Sequence, residues 1–200
     1  VMTNIATQSS NMGHSVSVLA DGSKSKSSSF DSQQNFEIKR FDQIKFFRNK
    51  NKSSFANDLL KNKSFDLVFF YSWKSVEHFN NPIQNKKICL IHGNEILNLK
   101  KKERIIKSLK KVDKILFNSN FTKNLFYKQL PELSELPSMV IFPAFIENIN
   151  YSDDEKKYDL CTIARLEYRK GHHLVLEALT KLKKEKNLVL TYAILGDGPE

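Results

Sequence analysis

The sequence predicts an α/β protein with parallel sheets, built as two units of which the second is incomplete. Three observations predict it. Short apolar runs recur without polar alternation, as in parallel strands covered on both faces. Helical apolar patterns lie between them, the order that builds strand-helix-strand units. A polar stretch without periodicity then interrupts the series once, and the series restarts after it.

Taken in order, the strand-like runs are 16–20, 65–71, 88–92, 115–118 and 139–142, then 158–164 and 188–195 beyond the interruption. Phe55, Leu59 and Leu60 mark one helix. Ile105, Ile106, Leu109 and Val112 mark another, an amphipathic helix over 100–114 with Lys100, Lys101, Lys107, Lys110, Lys111 and Lys114 around its outer side. The clearest helix carries Leu174, Val175, Ala178, Leu179 and Leu182 on one face. Residues 21–32, rich in Ser, Lys and Asp, read as an exposed loop. The polar, acidic stretch 147–157 is the expected boundary. It gives a first domain over 1–147, a linker over 148–157 and the start of a second domain over 158–200. Two strands and one helix do not bury their own faces, so the second domain is expected to be truncated.

Composition sets the class. An apolar fraction of 40% and an aromatic fraction of 11% are those of a globular chain and exclude disorder. No window approaches the roughly 20 apolar residues of a membrane-spanning helix. Cys89 and Cys161 both lie in strand-like runs, without close spacing. They read as reduced, buried thiols of a cytoplasmic protein, not as a disulfide or zinc site. The net charge is +10, and residues 84–128 hold 12 Lys/Arg against 3 Asp/Glu. A field that concentrated attracts phosphate, whether of nucleic acid, lipid headgroups or a small molecule.

Ligands of open parallel sheets bind where strands end and helices begin. His92 stands at such an end, followed by Gly93, and is equally well read as a capping side chain or as a group projecting over the sheet edge. Ser119 or Asn120 reads as the N-cap of the helix holding Leu125 and Phe126. Arg165 and Lys170 leave one strand end in a single loop, with Gly171 opening the next helix. Two cations beside a helix N-terminus suit a diphosphate, although spacing alone favours a solvated basic loop. Gly196-Asp197-Gly198-Pro199 forms a turn after the last strand. His172 and His173 are adjacent, point about 100° apart on a helix and do not chelate one metal in the i, i+4 manner. No metal site is expected.

Together these pieces resemble the glycosyltransferases of family 4 in the GT-B fold, a group of retaining enzymes. The run from Thr162 to Gly171, with Arg165 and Lys170-Gly171, is similar to that family's strand, Arg, four residues, Lys-Gly. The Gly196–Pro199 turn follows at the matching distance. Met12-Gly13-His14 with the strand behind it, His92-Gly93, Asn118-Ser119 and Pro143 fall where comparable family motifs sit. The resemblance implies two Rossmann-like domains facing across a cleft, with a nucleotide-diphosphate sugar as donor substrate and neither cofactor nor metal. It implies that Arg165 and Lys170 bind the donor diphosphate and stabilise charge as the nucleotide leaves. It places His92, as the catalytic residue, near the transferred sugar or the acceptor hydroxyl, and Gly171, Gly196 and Gly198 close to the nucleotide. The family's glycine-rich loop and first strand would precede Val1, and its acidic pair would follow Glu200. The full-length enzyme is expected to be active and this stretch inactive alone.

The implied activity is transfer of a sugar to a glycan or lipid-linked acceptor in cell-envelope polysaccharide or glycolipid synthesis. The implied location is cytoplasmic, with salt-reversible contact between the basic helix and an anionic membrane. Two other readings compete. One is a nonenzymatic binder of anionic membrane or nucleic acid, although no nucleic-acid-reading motif or interleaved aromatic set accompanies the lysines. The other is a GT-B-like sugar-nucleotide epimerase.

Overall fold

A computed structural model describes residues 2–80, 85–97, 100–144 and 155–200, apart from the side chains of residues 45 and 46. The chain divides into two compact units, Val1–Phe145 and Ile146–Glu200. Most of the expected linker, residues 148–154, lies outside the described residues.

The first unit runs α1 (Met2–Asn11), β1 (Ser17–Asp21), α2 (Lys24–Ser32), β2 (Glu37–Phe41), α3 (Lys45–Asn62), β3 (Leu67–Phe70) and α4 (Trp73–Glu77). It continues through β4 (Lys86–Ile91), α5 (Lys102–Leu109), β5 (Lys114–Phe117), α6 (Asn120–Gln129) and β6 (Ser138–Val140). The second unit holds β7 (Leu160–Ile163), α7 (His172–Lys186) and β8 (Tyr192–Leu195). Every strand pair is parallel: β1 with β2, then β3-β4-β5-β6 in sequence order, and β7 with β8. This is the α/β, parallel-sheet class that the apolar runs predict.

The core of the first unit explains why those runs lack alternation. Cys89 and Ile91 of β4 and Ile115 and Phe117 of β5 are fully buried, and their opposite-facing neighbours Leu90 and Leu116 are buried too. Both faces of these central strands are therefore covered. The covering helices contribute Trp73, Val76, Ile105, Leu109 and Phe126. Phe117 meets Phe126 edge-on at 5.1 Å between ring centroids and Tyr127 at 5.9 Å. The Cys89 thiol, enclosed in this core, has its pKa pushed far up by burial.

Four expectations are corrected. Residues 21–32 are not a loop: Asp21 ends β1, and 24–32 form α2. The serine-rich composition hides the helix, which is tied to the neighbouring strand by its own Asp31, paired with Arg40 of β2 at 2.6 Å. That same strand, β2, shows no continuous apolar run because it alternates: Ile38 and Arg40 are half-buried, Glu37 and Lys39 are exposed and Phe41 is buried. The amphipathic helix is shorter than 100–114. It covers Lys102–Leu109, and Lys114 opens β5. Its basic residues are also less free than the pattern suggests. Lys111 donates to the carbonyl oxygens of Glu77 and Phe79 and to Asn80, at 2.9 to 3.0 Å. Lys102 pairs with Glu132 at 2.8 Å, and Arg104 with Glu77 at 2.5 Å. Finally, Cys161 is exposed, unlike Cys89, because the β7–β8 pair leaves its residue uncovered.

Among the described residues no helix is long and apolar enough to cross a membrane.

Candidate functional site

In the first unit, three neighbouring strands end along one edge, and side chains bridge successive strand ends. Tyr71 follows β3, His92 follows β4 and Asn118 follows β5. His92 Nε2 lies 3.1 Å from the backbone oxygen of Tyr71, and its ring packs on the Tyr71 ring at 4.4 Å. A carbonyl oxygen accepts and never donates, so Nε2 carries the proton and Nδ1 is the ring's acceptor in the neutral form. The His92 amide donates to Glu95 Oε1 at 3.1 Å, and Asn118 Nδ2 donates to the His92 carbonyl at 3.4 Å. His92 is thus a half-buried residue held on both sides by its neighbours. Ser119 behind Asn118 is a helix cap, as its sequence position implies: its hydroxyl oxygen accepts from the Thr122 amide at 3.1 Å.

In the second unit, β7 leads into a loop that holds Arg165, Glu167, Arg169 and Lys170 before α7 begins. Gly171 caps both the short 3-10 turn Tyr168–Lys170 and the start of α7, with φ +74°. That left-handed conformation favours glycine and lets one residue turn directly from one helix into the next. Arg165 and Lys170 therefore stand in one loop at a helix N-terminus, whose first amide groups lack helical partners. His172, in the first turn of α7, donates from Nε2 to the Arg165 carbonyl at 3.2 Å, tying that turn to the loop.

The loop is fixed from the other side by β8. The ladder extends past both strands: the Ala164 amide donates to the Leu195 carbonyl at 3.0 Å, and the Leu166 amide to the Asp197 carbonyl at 3.1 Å. A Cβ on Gly196 would overlap the Ala164 carbonyl, and one on Gly198 the Leu166 carbonyl. These two glycines let two backbones meet without side chains between them. Their visible role is to hold the Arg165 loop.

Two charged residues of this loop carry no role in the sequence reading. Glu167 pairs through Oε1 with Arg165 Nη1 and through Oε2 with Arg169 Nη2, each at 2.7 Å. The cationic set is thus Arg165, Arg169 and Lys170, with one carboxylate inside it. The signal for Arg169 was present in the sequence, since it lies between the two ends of the Arg-to-Lys-Gly run. His92 belongs to the first unit and the Arg165 loop to the second. Among the described residues, no group of three or more His, Cys, Asp or Glu stands close enough to hold a metal ion.

Residues 146–200 match the family model described as glycosyl transferases group 1. The matched region contains the whole of the Arg165 loop, α7, β8 and the glycine turn. The match lies within the second unit, whose two strands pair in parallel around α7. No curated protein matches the chain.

Proposed function

We propose that this chain is part of a nucleotide-sugar-dependent glycosyltransferase in which the Arg165 loop binds the donor diphosphate. The observation that carries the proposal is where the cations stand within the matched residues. The residues matching a glycosyltransferase model are also those that gather three cations at the N-terminus of a 15-residue helix. Arg165 and Lys170 neutralise the diphosphate and stabilise its growing charge as the sugar–oxygen bond to phosphate breaks. The amide groups at the start of α7, opened by Gly171, add donors to the same anion. Gly196 and Gly198 keep the loop in place beside the nucleotide.

In the same reading His92 acts on the acceptor side, near the transferred sugar or the acceptor hydroxyl. Its Nδ1 lone pair is free to accept a hydrogen bond, because Nε2 is already committed to the Tyr71 carbonyl. The family-4 resemblance of the loop supports a retaining reaction without a metal, with a glycan or lipid-linked acceptor of cell-envelope or glycolipid synthesis. In this reading the basic stretch also supports a peripheral, salt-reversible contact with an anionic membrane, through charge and not insertion. Lys101, Lys107 and Lys110 are exposed, while Lys111 is engaged within the first unit and Ile105 and Leu109 are buried in its core.

Lys170→Ala in the full-length protein tests the donor site. It should weaken binding of a nucleoside diphosphate by roughly tenfold or more, as expected for a lost charge-assisted contact, while binding of the nucleoside alone changes little. Titration calorimetry reads both, and equal losses for the two ligands would remove Lys170 from the diphosphate site. Release of free nucleotide with sugar transfer supports the transferase, whereas sugar isomerisation without transfer supports the epimerase reading.

A further inference from the structure

The Glu167 carboxylate is 20% exposed, whereas the Arg165 and Arg169 side chains it holds are 70% and 63% exposed. A sheltered anion therefore sits behind two guanidinium groups that face solvent. Its position is set by the main chain. The Glu167 amide donates to the Arg165 carbonyl at 2.9 Å, and the Lys170 amide to the Glu167 carbonyl at 2.8 Å. With Arg165, Arg169 and Lys170 counted against Glu167, the loop has a net excess of two positive charges. The titratable groups set against it from other elements are Asp197, whose carboxylate accepts from its neighbour Gly198, and the His172 and His173 rings of α7.

That excess has a chemical consequence. A nucleotide sugar is esterified at both phosphates and carries roughly two negative charges on its diphosphate. The free nucleoside diphosphate ends in a monoester and carries roughly three once that group is fully ionised, above a pKa of about 6. We infer that Glu167 is a specificity-determining residue for the phosphate state of the nucleotide. It matches the loop to the doubly charged ester and leaves the triply charged product under-compensated, which favours exchange of spent nucleotide for donor. The inference rests on the donor-diphosphate reading of this loop.

Replacing Glu167 by Gln keeps the shape and removes the charge. The extra positive charge strengthens binding of both ligands, and that of the more highly charged one further. At a distance of several ångströms with substantial solvent screening, the difference amounts to about three- to tenfold. The experiment is titration calorimetry on the full-length protein with UDP and UDP-glucose, GDP and GDP-mannose, and ADP and ADP-glucose, using whichever pair binds. Glu167→Gln should tighten the free diphosphate about three- to tenfold more than its sugar ester above pH about 6. That advantage should vanish below it, where the terminal phosphate loses its second charge. Arg169→Gln serves as a second variant should Glu167→Gln fail to fold, and it should shift the preference the opposite way. Equal effects on both ligands, or a preference that does not change with pH, would overturn the role of Glu167 while leaving the donor site standing. If no pair binds the unmodified protein, or if Arg165→Ala leaves binding unchanged, the donor reading fails and this inference fails with it.

Discussion

The two units hold themselves together by different means. In the first, a four-stranded parallel sheet is covered on both faces of its central strands, and its interior is a continuous cluster from Leu60 to Leu133. In the second, no described residue reaches that level of burial, and Ile163, Tyr168 and Val189 stand open. Polar and backbone contacts at the strand ends give this pair its definition. Asp159 binds the Thr191 amide and hydroxyl at 2.6 and 2.7 Å where the strands begin. Those bonds, led by the Thr191 hydroxyl, hold the Asp159 pKa below the usual carboxylate value. The glycine turn closes against 164–166 where the strands end. A loop with functional groups can therefore be positioned accurately by main-chain contacts even where apolar burial is slight.

The largest effect expected from this contrast is on stability. Phe117→Ala removes a fully buried ring from the centre of the first unit and should cost about 3–5 kcal/mol, through lost burial and a residual cavity. Ile163→Ala in β7, at a residue 81% exposed, should change stability by less than about 0.5 kcal/mol in the 200-residue chain. Urea unfolding compares the two. Similar costs would mean that the second unit has an apolar core of its own.

Next in size is Gly196→Ala. The added methyl group meets backbone, not a side chain that can swing away, so the cost should be about 1–3 kcal/mol, as for overpacking. It should appear locally. Amide exchange at Ala164 and Leu166, whose bonds cross to Leu195 and Asp197, should accelerate while exchange in β4 and β5 does not. Uniform acceleration across both units would show that the two do not respond separately.

The same contrast governs what was legible in the sequence. Continuous apolar runs reveal β3, β4 and β5 directly, the last two with residues buried on both faces, and the cap of α6 was narrowed to Ser119 or Asn120. An alternating strand such as β2 puts charge at every second position, and a search for continuous runs passes over it. Helix α2 looked like a loop because its composition is poor in apolar residues and its strongest support, the Asp31–Arg40 pair, spans two elements. The inward use of Lys111 was equally hidden, since its acceptors belong to residues 77–80, more than thirty positions away. At the candidate sites, position relative to a strand end singled out His92, Arg165 and Lys170. What orients them did not show. The Tyr71 carbonyl and the bridging Glu167 depend on backbone placement that no residue pattern encodes.

The smallest effect separates charge from packing within the first unit. Glu77 accepts from Arg104 at 2.5 Å, and this bond, ahead of the opposing cost of desolvation, draws the Glu77 pKa below its ordinary value. A carboxylate whose folded pKa is depressed adds stability above its unfolded value, near 4.3, and loses that contribution as pH falls through the lower folded value. More than half of the Arg104 side chain is exposed, so screening by solvent keeps the contribution of the pair small. Glu77→Gln should therefore destabilise the chain slightly at neutral pH, and the difference from the unmodified protein should shrink as pH drops below about 4 and as salt rises. Urea unfolding across that pH range reads the difference directly. The Lys111 bond to the Glu77 backbone oxygen survives this substitution, so the measurement isolates the carboxylate. A loss of several kcal/mol at neutral pH would mean that the first unit depends on its charges as much as on its core, and the distinction drawn between the two units would fail.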